Sequence, residues 1–358
     1  MVITEVRAQA KMLPYKDQNW KIATGSFTGA RMIFVDILTD EEVVGRGCTN
    51  SGALFISGES ETSVVHVIEG VVSKLLNGRT PFDIEDITAS MDRAVLLNYR
   101  AKAGIDLALH DLMGKALGVP VRSLIGSSTA KRIPIMRMVS IKEPKSMAND
   151  AASLVRQGFK ALKIKVGEDR RSDIERVRAI REAVSDSTTL TVDINQAYGP
   201  KDAVELIKAL EQYNVALIEQ PVKKEDIRGL AYVRERVNIP IEVDESVITL
   251  ADAVRVIEAG AADFISIKLI KMGGIHRAKK VAALCEAFQL GCVVGTTPGS
   301  QMIDVANAHF IVSTPNIWWA AEVGEFVRMQ EDPVSGATVK EGHLEVPDGP
   351  GFGVKQSL

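Results

Sequence analysis

Short apolar runs recur along the second part of the chain at a nearly constant interval. They are Arg132–Arg137, Ala161–Val166, Leu190–Asp193, Ala216–Glu219, Ile241–Asp244, Phe264–Lys268, Gly291–Thr296 and Trp318–Glu322. Each is short and mostly apolar, the pattern of a strand buried on both faces. The stretches between them have a helical period. Ser172–Val184 places Ile174, Val177, Ile180 and Val184 on one side; Asp202–Leu210 does so with Val204, Ile207 and Leu210, and Asp252–Ile257 with Ala253, Val256 and Ile257. Asp193, Glu219, Asp244 and Lys268 are spaced by about 25 residues, the length of one strand–loop–helix unit. Repetition of that unit predicts an α/β chain whose strands close into a modified TIM barrel. Because the eighth strand has no clear helix after it, the pattern is (β/α)7β.

The first part of the chain breaks this rhythm. Val2–Pro14 alternates, and Arg31–Leu38 and Val43–Gly47 flank a polar turn at Asp40, which predicts a small antiparallel sheet. Helical periodicity then takes over in Tyr99–Leu117, where Ile105, Ala108, Leu109 and Leu112 form one apolar face and Gly118 with Pro120 supplies the stop. A sheet followed by helices marks a separate α+β domain. The boundaries expected are 1–125 for this domain, 126–328 for the barrel, and 329–358 for a Gly- and Pro-rich tail that returns to the first domain. No low-complexity linker separates the two larger parts, so they are expected to pack rigidly. Asn19–Phe27, with Trp20 and Phe27, and Cys48–Gly52 are the two candidate lid loops.

Composition narrows the function classes. The 358 residues carry a net charge of −3 with the signs interspersed, which gives no electrostatic case for nucleic acid or an anionic membrane. Hydrophobic residues make up 46%, enough for a large core, yet no apolar run reaches the length of a membrane span. Cys48, Cys285 and Cys292 show no metal-binding spacing and are expected to be free thiols. With no apolar signal segment at the N-terminus, a cytoplasmic location is expected.

The strand ends carry the candidate chemistry. Any one of Asp193, Glu219 and Asp244 alone would be read as a helix cap or an ion-pair partner. Three in register on consecutive strands converge at the barrel mouth, and three ionised carboxylates in a partly dry site call for a cation. Ligation by oxygen alone, with no His or Cys, points to Mg²⁺ before Mn²⁺. Asn195, two residues past Asp193, faces the same way and is placed to hold a ligand or a metal-bound water. Lys163 and Lys165 lie two apart on one strand and so share its interior side, while Lys268 ends a strand across the mouth. A buried lysine near other cations has its ammonium form disfavoured and becomes a usable base. Two such lysines on opposite faces of a substrate could remove and return a proton at one carbon. Lys271 competes with Lys268 for the role but lies beyond the strand, beside Gly273-Gly274.

These residues match a known pattern. Lys163-Ile164-Lys165, Asp193-Ile194-Asn195, Ile218-Glu219-Gln220-Pro221, Val243-Asp244-Glu245-Ser246 and Lys268 through Gly274, with the closing Gly349-Pro350-Gly351-Phe352-Gly353, resemble the enolase superfamily over nearly the whole chain. Within it, the resemblance is to the muconate lactonizing enzyme (muconate cycloisomerase) subgroup of the mandelate racemase/muconate lactonizing enzyme family. It implies an N-terminal α+β capping domain and Mg²⁺ on Asp193, Glu219 and Asp244. It further implies Lys165 and Lys268 as acid/base residues, Lys163 as a contact to the substrate carboxylate that depresses the Lys165 pKa, and a homo-oligomer. A lysine base beside Mg²⁺ is the superfamily's known chemistry rather than an inference from spacing.

Departures from relatives are informative. The mandelate racemase subgroup has a His base on the seventh strand, where this chain has Gly295-Thr296-Thr297. Dipeptide epimerases carry Asp-x-Asp after the eighth strand, where this chain has Glu322-Val323-Gly324, so a dipeptide is disfavoured. Glu322 agrees with cycloisomerases. Arg137, Thr296, Trp20 and Glu322 complete the expected substrate contacts. The function expected is a Mg²⁺-dependent isomerase that abstracts the proton next to a carboxylate of a small molecule and passes through an enolate. Racemisation or epimerisation of an amino-acid derivative ranks first, muconate-type cycloisomerisation second and hydroxy-acid dehydration third. A non-catalytic ligand-binding homologue is the contrasting class, which a lost carboxylate or lysine would have signalled.

Overall fold

In the computed structural model, the alternating N-terminal stretch forms a long antiparallel ladder. The structure describes all residues except 18, 19, 24, 52–57, 127, 128 and 358. Strand β1 (Ile3–Pro14) leads through a small hairpin, β2 (Trp20–Ile22) and β3 (Gly25–Phe27), into β4 (Gly29–Thr39) and β5 (Val44–Asn50). The sheet order is β1-β4-β5, with Ile3 opposite Thr39 and Pro14 opposite Gly29. Of the two expected lid loops, Asn19–Phe27 is this hairpin apart from residues 19 and 24, which lie outside the described residues, and Cys48–Gly52 is the end of β5 with Ser51, its last residue lying outside them.

Helix Tyr99–Leu117 lies against the sheet. It approaches so closely that a Cβ on Gly47 would stand 2.3 Å from the Gly104 carbonyl oxygen. Its sequence predicts one apolar face, but every residue from Arg100 to Gly114 is buried. The reason is that the sheet covers one side and the barrel the other, so its polar residues need internal partners. Asp106 accepts the N–H groups of Ile275 (2.6 Å) and His276 (3.3 Å), capping a barrel helix. Asp111 accepts from Phe352 of the C-terminal tail at 2.9 Å. Gly118, at φ 69°, ends the helix in the left-handed conformation.

The run Arg132–Arg137 divides at Pro134, which has no N–H to donate. Strand β6 (Arg132–Pro134) pairs antiparallel with His343–Glu345 of the tail, and β7 (Met136–Val139) opens the barrel. Next come β8 (Ala161–Lys165), β9 (Thr189–Asp193), β10 (Val215–Glu219), β11 (Ile241–Val243), β12 (Phe264–Ile267) and β13 (Gly291–Val294). All seven are parallel in unbroken order, and each is followed by a helix, from Pro144–Arg156 to Gln301–Val312. The predicted eighth strand is irregular. Residues 317–322 close the ring through isolated bridges, Ile317 to Cys292 and Ala321 to Ile135, with Met136 N donating to Ala321 O at 2.8 Å. Met136, Ala161, Leu217, Val293 and Ala320, all buried, form the interior floor. They fix the phase of β7, β8, β10 and β13, and residues two and four further along face the same interior. Among the described residues no helix is long and apolar enough to cross a membrane, and the three cysteines are buried and free.

His309 ties the last barrel helix to both ends of the capping domain. Its Nδ1 accepts the Arg122 N–H (3.1 Å) and its Nε2 faces Phe352 O (3.3 Å), so the neutral ring with the hydrogen on Nε2 suits both partners. Burial first, and then the Arg122 charge, lower its pKa to about 4. The unfolded chain binds a proton near pH 6.5, whereas the folded chain does not until about pH 4. Stability from this site is therefore complete above pH 6.5 and falls as pH drops toward 4, by up to roughly 3 kcal/mol. Thermal melts of wild type and His309→Gln across that range are expected to show a shallower acid loss in the variant. Equal slopes would remove His309 as the cause.

Candidate active site

Strand phase delivers the charged residues. Lys163 and Lys165 rise on β8 above Ala161, and Lys165 is level with Asp193, which is level with Glu219. Glu219 is level with Glu242, and Asp244 follows on the same side. All six are buried, Lys163 at 0% exposure and the others at no more than 6%. The Lys165 ammonium donates to Asp193 Oδ2, and the Lys163 ammonium to both Glu219 and Glu322. Lys268 Nζ lies 2.6 Å from Asp244 Oδ2. Lys271 Nζ donates to Asp244 Oδ1 (2.7 Å), Asp244 O (2.7 Å) and Ser266 O (3.0 Å). That uses all three of its hydrogens, so Lys271 is a fixed cation, whereas among the described residues the Lys268 ammonium has Asp244 alone as hydrogen-bond partner. Gly295 takes the interior position on the seventh strand. A Cβ there would come within 2.6 Å of Lys268 Cε, so the absence of a side chain makes room for that lysine.

The charges are strongly coupled. Burial pulls the Lys165 pKa down, but Asp193, Glu219 and Glu322 outweigh it and the net shift is upward. Lys268 is likewise raised, burial being overcome by Asp244 and Glu219. This differs from the expectation of disfavoured ammonium groups, because in this arrangement carboxylates outnumber the neighbouring cations. Despite its own burial, Asp244 is held well below the usual carboxylate range by Lys268 and Lys271. Glu219 is pushed up by burial and by Asp193. Glu245 is pushed up to about 8 by burial, then by Asp244 and Asp193.

Two residues were given no role by the sequence. Glu242 is fully buried, neither carboxyl oxygen has a hydrogen-bond partner among the described residues, and burial drives its pKa well up. Its position two before Asp244 was the available signal. Gln220 accepts the N–H groups of Asp244 (2.9 Å) and Ser246 (3.3 Å) while its amide donates to Ser246 Oγ (2.8 Å) and Val222 O (3.0 Å). It adopts φ 37°, a strained backbone of the kind found at functional sites. Asn195 is similar, with φ 45°. Its N–H donates to Asp193 Oδ1 (2.8 Å), its Nδ2 lies 3.4 Å from Glu245 Oε1, and its Oδ1 is buried with no hydrogen-bond partner among the described residues.

The other expected substrate contacts are placed differently. Arg137 is level with Leu162, on the outer side of its strand. Its guanidinium is held by Glu325 Oε1 (2.6 Å) and Gly324 O (3.1 Å), and it stacks on Phe159. Thr296 follows the interior Gly295, and its hydroxyl is turned to Thr297 O (3.4 Å) and Asn307 Nδ2 (3.5 Å). Neither reaches the carboxylate cluster. Glu322 does, but through Lys163 inside the barrel. Lys163 itself, enclosed by Glu219 and Glu322, lies below the mouth. Trp20 sits in the hairpin, 6% exposed, with Arg328 over its ring at 4.2 Å.

Could this cluster hold a divalent cation? Asp193, Glu219, Glu242, Asp244, Glu245 and Glu322 are six carboxyl groups facing the ammonium groups of Lys163, Lys165, Lys268 and Lys271. The carboxyls outnumber the ammonium groups by two, and Glu242 and Glu245, whose pKa values are raised, would ionise to balance a divalent ion. The donors are all oxygen, and the unpartnered Oδ1 of Asn195 and Oε2 of Glu245 add buried acceptors. The donor set fits. As arranged here the carboxylates turn toward lysines, and no three His, Cys, Asp or Glu side chains among the described residues are grouped at metal-binding distances.

Comparison with known proteins shows the family. Residues 3–126 match the mandelate racemase/muconate lactonizing enzyme N-terminal domain, and residues 146–357 match the enolase C-terminal domain-like family. The chain belongs to the mandelate racemase/muconate lactonizing enzyme family of the enolase superfamily and is an isomerase of that superfamily. It is 38% identical to a hydrophobic dipeptide epimerase of Enterococcus faecalis, over 99% of each chain. The crystal structure of a dipeptide epimerase from that organism, complexed with Mg and the dipeptide L-Leu-L-Tyr, superposes with a TM-score of 0.95 at 37% identity, covering 99% of this chain and 100% of the other. An N-succinyl-L-Arg/Lys racemase of Bacillus cereus is 32% identical over 96% of this chain and 97% of its own. A muconate cycloisomerase of Rhodococcus opacus is 30% identical over 94% and 92%.

Proposed function

We propose that this protein is a Mg²⁺-dependent racemase or epimerase of an N-substituted α-amino acid. The observation that carries it is the pair of lysines, Lys165 on Asp193 and Lys268 on Asp244, reaching the mouth from the second and sixth strands. A racemase needs one base on each face of the α-carbon, whereas lactonisation or dehydration needs a single proton donor. Asp193, Glu219 and Asp244 would hold the metal. When bound, Mg²⁺ would supply the positive charge that offsets the negative charge developing on the substrate carboxylate.

The chain's own residues do the rest. A cation on Asp193 and Glu219 would offset the carboxylates that otherwise keep Lys165 protonated. Lys165, as free amine, takes the α-proton from one face, and Lys268, as ammonium, delivers one to the other; the reverse reaction exchanges the roles. Either lysine must leave its carboxylate to reach the substrate. Lys271 keeps Asp244 Oδ1 and its carbonyl occupied while Lys268 moves. Gln220 fixes the Asp244 backbone, and the Lys163–Glu322 pair braces Glu219 from below.

An N-acyl amino acid is the first substrate class. The position that in dipeptide epimerases carries the second acid is Gly324 here, and Glu322 is spent on Lys163, so no acid pair stands ready for a substrate ammonium. A dipeptide remains the second reading because of the 38% identity to a dipeptide epimerase. Chiral chromatography with Mg²⁺ over N-acyl amino acids, dipeptides and muconates tests the choice. Inversion of N-acyl amino acids is expected; conversion of muconate alone would overturn the proposal.

A further inference from the structure

The hairpin that carries Trp20 rests on the barrel mouth. Ile141 N, just past β7, donates to Lys21 O at 3.1 Å, and a Cβ on Gly167, two residues past Lys165, would meet Ala23 Cβ at 3.0 Å. One tether is the Lys21–Glu168 ion pair at 2.5 Å, with both side chains a third or more exposed; such pairs contribute little. The other is Arg328, in the short turn Glu325–Arg328 that follows the eighth barrel segment.

Arg328 uses one face and one edge of its guanidinium. One face covers the Trp20 ring at 4.2 Å, Nη2 donates to Met138 O at 2.8 Å, and Nε stands 2.6 Å from Glu325 Oε2. That last contact is an ion pair by distance in which the N–H is not aimed at the oxygen. Glu325, fully buried, also receives Arg137, so one carboxylate sets both guanidinium groups. The main chain is lashed at the same place. Lys16 N donates to Arg328 O and Gln330 N to Pro14 O, each at 2.8 Å. Trp20 and Arg328 together divide two cavities. A polar one of about 250 Å³ reaches from Met138 and Ser140 to Gln157, and an apolar one of about 160 Å³ is bounded by Tyr15, Pro298 and Val327.

We propose that Arg328 is a positioning residue that sets the Trp20 hairpin over the mouth and so fixes the wall between these cavities. Stacking on an aromatic face while bonding along the edge needs a planar guanidinium, which lysine lacks. The effect on turnover rests on the function proposed above; the effect on the hairpin does not.

The test compares wild type with Arg328→Met, Arg328→Lys, Trp20→Leu and the Arg328→Met/Trp20→Leu double variant. Amide hydrogen exchange is read by mass spectrometry over Trp20–Ile22 and Gly25–Phe27, and KM and kcat are measured with the best N-acyl amino acid. In Arg328→Met, exchange across the hairpin is expected to quicken about 10-fold and KM to rise about 10-fold, with kcat within about 3-fold. Arg328→Lys recovers less than half of either change on a logarithmic scale, and the double variant is no worse than either single one. Should Arg328→Met not fold, Trp20→Leu carries the same readout from the other side of the pair. Hairpin exchange within 2-fold of wild type in Arg328→Met, or in Trp20→Leu where Arg328→Met does not fold, overturns the proposal, as do additive effects in the double variant. If wild type turns over no amino-acid derivative, the functional reading fails while the exchange data still decide the role of Arg328.

Discussion

Lys165→Ala and Lys268→Ala are each expected to lose racemase kcat by at least about 10³-fold. Each lysine serves one face of the substrate, so neither can stand in for the other. The variants should differ in what survives. With one lysine left, the enantiomer whose α-hydrogen faces it can still exchange that hydrogen with solvent, but it cannot invert. Lys271 cannot rescue Lys268→Ala, because its three hydrogens are committed to Asp244 and Ser266. Kinetics with each pure enantiomer check this. Equal loss of exchange for both enantiomers in both variants would show that the lysines hold charge rather than move protons.

The second large effect concerns Asp244. Without a divalent ion its buried carboxylate balances two partly buried ammonium groups, Lys268 and Lys271. Asp244→Asn leaves them unbalanced, which costs on the order of 3–5 kcal/mol of stability when one partner of a buried pair is removed. The same substitution removes a proposed metal ligand. Wild-type Tm is expected to rise as Mg²⁺ is titrated, by the mass-action gain of a ligand that binds only the folded chain, whereas the variant starts lower and stays flat. Calorimetric Mg²⁺ affinity should fall by about 10²-fold or more. A variant that binds Mg²⁺ like wild type would move the metal elsewhere in the cluster.

What could be read from the sequence followed from strand phase. Lys163, Lys165, Asp193, Glu219 and Asp244 stand at even spacing on short apolar runs, and the structure gathers them with Lys268 around one mouth. The same rule, applied with the wrong boundary, misplaced Arg137. Reading Arg132–Arg137 as one strand puts that arginine at its end. Because the strand breaks at Pro134 and resumes to Val139, Arg137 faces outward and Met138 inward. On the seventh strand Gly295, not Thr296, holds the interior position. Glu242 was within reach, since it shares the phase of Asp244. The eighth strand was legible by position but not by regularity, being held by isolated bridges. Arg328 on Trp20 was beyond reach, because a contact across three hundred residues leaves no local period to detect.

The central claim is that two opposed lysines move a proton at the carbon next to a carboxylate. Proton NMR in D₂O, with Mg²⁺ and a single enantiomer of an N-acyl amino acid, measures this directly. Wild type is predicted to replace the α-hydrogen with deuterium in both enantiomers as they interconvert, only with metal present, while each lysine variant exchanges one enantiomer alone. Bound Mg²⁺ with no α-exchange in any N-acyl amino acid or dipeptide would contradict it.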